Sequence, residues 1–133
     1  MANDDVKADR RYTKDHEWAK QVEGGVLIGI SAFAVEQLGD ITLVNLDVKA
    51  GDTLAAGKAF GTIESVKTLS DLFAPIAGKV TRVNPDLETR PELVNEDPWD
   101  KAWMIEIAPS SPAEVEALLD PAAYAELLKT AGH

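Results

Sequence analysis

Short strand-like runs separated by turn-forming residues fill most of this chain, and they limit the folds that it can adopt. Within the runs apolar residues often alternate with others, as at Val44, Leu46 and Val48, and this period of two is typical of β-strands. The runs occupy residues 12–22, 24–30, 41–48, 60–65, 69–75, 78–84 and 103–108. Many short strands at close spacing, joined by glycine-rich turns, predict a small β-sandwich or barrel.

Three helical segments accompany the strands. Ser31 is a residue type that caps helix N-termini, and Gly39 suits the left-handed position past the end of a helix over 31–39. Near the C-terminus, residues 111–114 have the form of a capping box with proline at the first helical position. Asp120 followed by Pro121 predicts the start of a second helix. The apolar stripes of these two last helices predict packing on the outside of the β core: Val115, Leu118, Leu119, Tyr124, Leu127 and Leu128.

Two polar segments complete the chain. Residues 84–100 carry six acids against one base, Arg90, which predicts an exposed, loop-rich segment. Residues 1–10 are polar and predict a flexible N-terminal segment. We therefore expect a single domain over residues 11–133 that includes the C-terminal helices at about 112–130.

Charge and composition exclude several kinds of partner. The net charge is −10, which opposes binding to nucleic acids or anionic membranes and favours partners with basic docking surfaces. No apolar run approaches the length of a membrane span. The first 14 residues are typical of neither a secretory signal nor an acid-poor transit peptide. This pattern predicts a cytoplasmic location if the source is bacterial. It does not exclude a location in the mitochondrial matrix.

The sequence offers little for catalysis or metal binding. It has no cysteine and two histidines, of which His133 is the last residue and His16 stands alone. No zinc spacing, nucleophile elbow or phosphate-binding loop is present. We therefore expect no catalytic residue and no metal site, and any redox sulfur must arrive on a cofactor.

Lys67 differs from the other lysines in its context. It lies in a predicted tight turn between the strand-like runs that end at Ser65 and begin at Leu69. Such a turn presents the amine to a modifying enzyme, and acylation would remove its charge and tether a mobile arm. The alternative is an ordinary solvated hairpin lysine, with Glu64 as its ion-pair partner.

The segment ESVKTLSDLFAPIAGKV around Lys67 resembles the lipoylation segment of the glycine cleavage system H-protein family. DHEW at 15–18, IGISAFAVEQLGDI at 28–41, VNPDLETRPELVNEDP at 83–98 and WMIEI at 103–107 occur in the order and spacing of that family. A lone ESVK is a weak motif, whereas this ordered set covers about residues 11–130 and is highly specific.

The resemblance implies a mainly β fold, a barrel-sandwich hybrid of the biotinyl/lipoyl carrier type with short peripheral and C-terminal helices. It also implies that Lys67 carries (R)-lipoate through an amide, as a non-catalytic carrier. The arm would take an aminomethyl group from a pyridoxal-phosphate glycine decarboxylase to a tetrahydrofolate-dependent aminomethyltransferase. A dihydrolipoyl dehydrogenase would reoxidise the dithiol, and a lipoate ligase or lipoyl/octanoyl transferase would load the lysine. We expect a monomer, since shuttling favours transient contacts.

The resemblance implies roles for four acids as well. Asp15, Glu17 and Asp71 match the family's arm cleft, where carboxylates hold a protonated amine; Asp15 and Glu17 could also simply alternate on a solvated strand. Glu64 and Asp71 flank Lys67 and could instead be read by the lipoylating enzyme. The chain departs from the family's Tyr-Gly-x-Gly-Trp pattern at residues 99–103, where the loss of two glycines predicts a stiffer or re-routed loop.

Other functions stay open from the sequence. A biotin carrier is disfavoured because Val66 and Thr68 stand where such carriers have methionines. An H-like carrier that relays lipoyl groups or serves sulfur metabolism would keep the same Lys67. An enzyme acting on a small polar substrate in an acidic cleft, and an interaction module with unmodified Lys67, are the alternatives from other classes.

Overall fold

The computed structural model describes residues 6–131, which form two antiparallel sheets and five short helices. The strands, in chain order, are β1 (Arg11–Tyr12), β2 (Glu17–Val22), β3 (Gly25–Ile30), β4 (Ile41–Leu46), β5 (Thr53–Leu54), β6 (Ala59–Ser65), β7 (Leu69–Phe73), β8 (Gly78–Val83) and β9 (Ile105–Pro109). The helices are α1 (Ala32–Leu38), α2 (Asp86–Thr89), α3 (Leu93–Glu96), α4 (Ala113–Glu116) and α5 (Pro121–Ala131).

The larger sheet has the strand order β1-β2-β3-β9-β8-β5, and the smaller sheet has the order β4-β6-β7. Every pairing within the two sheets is antiparallel. Antiparallel neighbours need only short connections, which suits a chain with many glycine turns. The arrangement confirms the predicted mainly β fold with helices at its periphery.

The core lies between the sheets and is built by alternation along the strands. In β3, Val26, Ile28 and Ile30 are at most 4% exposed, and Ile63 of the smaller sheet is packed in the same core. A second, aromatic cluster lies where β1, α1 and α5 meet, and its members are Tyr12, Trp18, Ala32, Phe33, Trp99, Tyr124 and Leu128. The predicted stripe of α5 is therefore confirmed as packing onto the β core.

Helix α1 begins and ends as its sequence predicts. Ser31 has extended backbone angles, and its hydroxyl accepts a hydrogen bond from the Ala34 N–H. Gly39 follows the helix with φ of 85°, a conformation that favours glycine. The Gly39 N–H donates to the Val35 carbonyl. These two residues fix the helix that borders the functional site.

The acids of the segment 84–100 are exposed or half-buried, as its charge predicts, but the segment is not all loop. It contains the one-turn helices α2 and α3, and these bury Leu87, Leu93 and Val94 to 5% exposure or less. In a helix of a single turn, one or two apolar residues are enough to anchor the backbone to the core.

The predicted capping box at residues 111–114 does not form. Pro112 precedes α4, no side chain caps that helix, and the Glu114 N–H donates to the Ser111 carbonyl. The Glu114 carboxylate instead accepts from the Ala77 N–H at 2.9 Å. Because this acceptor joins α4 to the β7–β8 connection, tertiary contact replaces the local cap.

The loop at residues 99–103 closes without the two glycines of the family pattern. The Asp97 carboxylate accepts N–H bonds from Trp99, Asp100 and Lys101 at 3.1–3.4 Å. Among residues 6–131 the one non-glycine with positive φ is His16, so this loop needs no left-handed residue. These bonds hold the loop backbone, and the stiffer or re-routed loop stays a prediction.

The N-terminal boundary at residue 10 stays a prediction. Residues 1–5 lie outside the described part of the chain. Arg10, the last residue of the segment expected to be flexible, is 5% exposed, and its guanidinium donates to the Trp99 carbonyl at 2.7 Å.

Candidate functional site

Lys67 lies at the tip of the hairpin formed by β6 and β7. Glu64 pairs with Leu69 at the end of the ladder, and the Ser65 N–H donates to the Thr68 carbonyl at 2.8 Å. Val66 and Lys67 are therefore the two central residues of a tight turn. Both are exposed, so the ε-amine is open to a modifying enzyme, as the sequence predicts.

Two sets of hydrogen bonds hold this turn in place. The Ser65 hydroxyl accepts from the N–H groups of Lys67 and Thr68 at 3.1 and 3.2 Å. The Val66 N–H donates to the Asp40 carbonyl at 3.0 Å, which ties the tip to the loop after α1. Because three successive N–H groups are engaged, the backbone of Lys67 is held in place.

The Lys67 side chain lies against Gly39. A β-carbon placed on Gly39 would be 3.2 Å from the Lys67 Cε atom, which is tighter than most such contacts. Asn95 supports this corner, because it donates to the Gly39 carbonyl at 3.0 Å and accepts from the Ile41 N–H at 2.8 Å. Gly39 thus serves both to end α1 and to let the lysine stem approach.

An acidic cleft of about 170 Å³ lies beside the hairpin, between α1, β7 and the start of β2. Its carboxylates are those of Asp15, Glu17 and Asp71. The rest of its wall includes five apolar side chains: Ile30, Ala34, Leu38, Ile63 and Leu72. The structure therefore brings three of the four predicted acids together, although they come from segments more than fifty residues apart.

Glu17 and Asp15 differ in burial. Glu17 is 3% exposed, and it accepts a hydrogen bond from the Thr13 hydroxyl at 2.6 Å. Burial raises the pKa of the Glu17 carboxyl, with the Asp15 charge adding in the same direction. Asp15 itself is exposed at the mouth of the cleft. The alternative prediction, that both acids are simply solvated, is therefore wrong for Glu17, which is buried. It is right that Asp15 is exposed.

His16 also lines the cleft, although the sequence predicts no role for it there. Its φ is 72°, a left-handed conformation that is costly for a residue with a β-carbon. Its Nδ1 atom lies 2.8 Å from the Tyr124 hydroxyl, which also lies 2.7 Å from the Ser31 hydroxyl. Burial lowers the pKa of the His16 imidazole. No local pattern could have joined His16 to Tyr124, because 108 positions separate them.

Glu64 lies outside the cleft. It is half-buried on β6, where Leu43 of β4 and Leu69 of β7 are its direct partners in the register. The four predicted acids therefore divide into three that line the cleft and one on the outer face of the smaller sheet.

Two arrangements are absent from residues 6–131. No group of three or more histidine or acidic side chains there is placed to hold a metal ion. Of the helices in this part of the chain, none has the length and apolar character needed to cross a membrane.

Comparison with known proteins gives one consistent result. The family model described as "Glycine cleavage H-protein" matches residues 10–131. The chain is similar to the glycine cleavage system H protein of Anaeromyxobacter sp. (strain K), with 48% identity over 120 residues, 90% of this chain and 93% of that protein. For the glycine cleavage system H protein of Magnetococcus marinus, the identity is 52% over 119 residues, 90% of this chain and 84% of that protein.

The fold shows the same likeness. The crystal structure of a glycine cleavage system H protein from Mycobacterium marinum superposes with a TM-score of 0.81 at 35% identity, covering 96% of this chain and 100% of that chain. This agreement confirms the expected barrel-sandwich hybrid of the biotinyl/lipoyl carrier type.

Proposed function

Because this chain belongs to the glycine cleavage H-protein family, whose members are lipoyl carriers, we propose that Lys67 is its lipoyl-bearing residue. The observation that carries this proposal is the placement of Lys67 at the exposed tip of a hydrogen-bonded turn beside an acidic cleft. Acylation there would replace a charged amine with a neutral amide. The rigid turn would then fix the origin of the arm, while the arm itself stays mobile.

The residues around Lys67 fit such a group. Apolar side chains such as Ile30, Leu38 and Leu72 offer a wall for the hydrocarbon part of an arm, and the three carboxylates offer acceptors for a cationic end. When bound, the lipoyl group supplies a disulfide that can accept a one-carbon amine unit and two electrons. In this proposal the protein positions that chemistry and does not catalyse it.

The three acids of the cleft would hold a protonated amine delivered by the arm. Glu17, which is 3% exposed, is the strongest acceptor because charge-assisted hydrogen bonds strengthen in a site away from water. An ammonium beside Glu17 would also offset the burial that raises the pKa of that carboxyl. The cleft would thereby shield the amine from water between partners.

We further propose the partners that this role requires. A pyridoxal-phosphate glycine decarboxylase would load the arm, a tetrahydrofolate-dependent aminomethyltransferase would unload it, and a dihydrolipoyl dehydrogenase would reoxidise it. A lipoate ligase or lipoyl/octanoyl transferase would attach the group first. The net charge of −10 favours basic docking surfaces on these enzymes. The compared relatives are bacterial, and on that ground we propose a cytoplasmic location.

The experiment compares the unaltered chain with Lys67→Arg after incubation with a lipoate ligase, lipoate and ATP, followed by glycine decarboxylation with the purified partner enzymes. Lys67→Arg should fold with an unchanged circular dichroism spectrum, because the side chain is exposed, yet show no acylation and no decarboxylation. Lys58→Arg, a change at an exposed lysine in the connection between β5 and β6, is the matched control and should retain both. Full activity of Lys67→Arg would refute the proposal.

The role of the cleft has its own test. On the arm-loaded protein, Asp71→Asn should speed the spontaneous loss of the amine load to water. Asp40→Asn is the matched control, because Asp40 is an exposed acid next to the turn that does not line this cleft. Equal rates of loss in the two variants would contradict the carboxylate role.

A further inference from the structure

Three large apolar side chains are exposed within residues 6–131, and all three lie around Lys67. Leu43 is 42% exposed, Val66 is 68% exposed and Leu69 is 61% exposed. Leu43 and Leu69 are both register partners of Glu64, one from each side of β6. The row Leu43–Glu64–Leu69 therefore crosses the smaller sheet, with Val66 next to it in the turn. We call these four residues the turn patch.

The turn patch lies on the outer face of the smaller sheet. Val44 and Ile63, the neighbours of Leu43 and Glu64 along their strands, are each 1% exposed in the core, so alternation turns Leu43 and Glu64 outward. Single apolar residues scattered over a surface are ordinary, whereas a cluster of them marks an interaction site. Here the exposed leucines and valine are gathered around the β6–β7 turn, beside the one residue proposed for modification.

We propose that the turn patch is the docking surface for the enzyme that acylates Lys67, an inference that rests on the proposed function. This enzyme has to bring its reactive acyl group to the Nζ atom of Lys67, so its surface must cover Val66 and Leu69 on either side. Enzymes that act on the far end of a loaded arm can meet that end away from the turn. The modifying enzyme is therefore the partner whose contact with the patch is unavoidable.

Charge specifies the partner's surface further. None of the ion pairs within residues 6–131 involves Glu64, although Glu64 is half-buried between two leucines. An apolar surface with one lysine or arginine opposite Glu64 would match the row in both shape and charge. Leu43 is the one member of the patch that lies outside the segment around Lys67 in sequence, and it reaches that segment only through strand pairing.

The test measures acylation of the full-length chain by a purified lipoate ligase with lipoate and ATP. In this reaction lipoate and ATP form an acyl adenylate and pyrophosphate. The Lys67 amine then forms the amide, releasing AMP and a proton. Leu43→Thr keeps a residue that favours strands but removes the apolar contact. We expect its kcat/KM for acylation to fall about tenfold, the size of effect seen for a central contact residue.

Two further variants separate docking from folding. Asn45→Thr is the matched control, since Asn45 lies on the same strand and face in the next row, opposite Thr62; its rate should stay within about twofold. Leu43→Met restores an apolar side chain and should restore the rate. A rate for Leu43→Thr equal to that of Asn45→Thr would overturn the inference.

The outcome also distinguishes this inference from the function on which it rests. If the unaltered chain gains no lipoyl group on Lys67, the proposed function fails and the patch loses its occupant. If the unaltered chain is acylated and Leu43→Thr is acylated equally fast, only the docking surface is wrong.

Discussion

Replacing Tyr124 with phenylalanine removes one buried hydroxyl that joins the C-terminal helix to the acidic cleft. The hydroxyl lies 2.8 Å from His16 Nδ1 and 2.7 Å from the Ser31 hydroxyl, and Ser31 is 1% exposed. Burial raises the pKa of Tyr124 to about 12, so the hydroxyl stays protonated at neutral pH. The substitution thus deletes two hydrogen bonds and no charge.

The expected loss of stability follows from these contacts. Each hydrogen bond contributes about 1 kcal/mol net, and a buried partner left unpaired adds to the cost. The phenylalanine ring would keep its stacking on Tyr12, whose centroid lies 4.2 Å away at an interplanar angle of 3°, so no cavity forms. We expect Tyr124→Phe to lower the free energy of unfolding by about 2 kcal/mol.

Urea denaturation followed by fluorescence measures this change, and the denaturant slope should stay constant because the unfolded surface is the same. Tyr12→Phe is the matched control. Tyr12 is the other ring of the stack, and its hydroxyl donates one bond, to the Lys7 carbonyl at 2.8 Å. Tyr12→Phe should lower the free energy of unfolding by about half as much as Tyr124→Phe. If Tyr124→Phe costs no more than Tyr12→Phe, the His16–Tyr124–Ser31 network does not stabilise the protein as described.

Three further changes test the core and the two buried acids, and urea denaturation measures each. Glu17→Gln should stabilise the protein at neutral pH, because burial raises the pKa of Glu17. This gain in stability should vanish as the pH falls through that raised pKa. A gain that does not change with pH would contradict burial of the charge as its cause. Glu106→Gln should lower the free energy of unfolding at neutral pH, since the hydrogen bond from Arg82 lowers the pKa of Glu106. This loss of stability should disappear in acid. Gly29→Ala should destabilise by about 1–3 kcal/mol, because its β-carbon would overlap the ring of Trp18, and an unchanged midpoint would refute that packing.

Much of the fold could be predicted because the signals are local. Alternating residues predicted the main strands, and Ser31 and Gly39 marked the two ends of α1. The exposure of the acids in segment 84–100 was predicted, but helices α2 and α3 were not, because charge dominates the composition while Leu87, Leu93 and Val94 are too few to form a recognisable stripe. The predicted cap of α4 is also wrong, because the Glu114 carboxylate accepts a hydrogen bond from the Ala77 N–H and not from the backbone of its own helix.

The candidate site shows the same division between local and distant information. The turn around Lys67 follows from its own sequence, because Ser65 supplies the hydroxyl that binds the next N–H groups. The cleft depends on contacts between distant segments, and periodicity alone could not bring Asp71 to Asp15 and Glu17. The resemblance supplied that grouping, but it gave no role to His16 or Tyr124, whose bond appears only when α5 is placed. The row of Leu43, Glu64 and Leu69 likewise required the register of three strands.

The central claim is that Lys67 carries a lipoyl group, and peptide mapping tests it most directly. The protein would be purified from its native cells, its intact mass measured, and the peptide around Lys67 sequenced by mass spectrometry. We expect an adduct of lipoyl mass on Lys67 and on no other lysine. A biotinyl adduct would contradict the cofactor, and an unmodified Lys67, even after incubation with an active lipoate ligase, would contradict the carrier function itself.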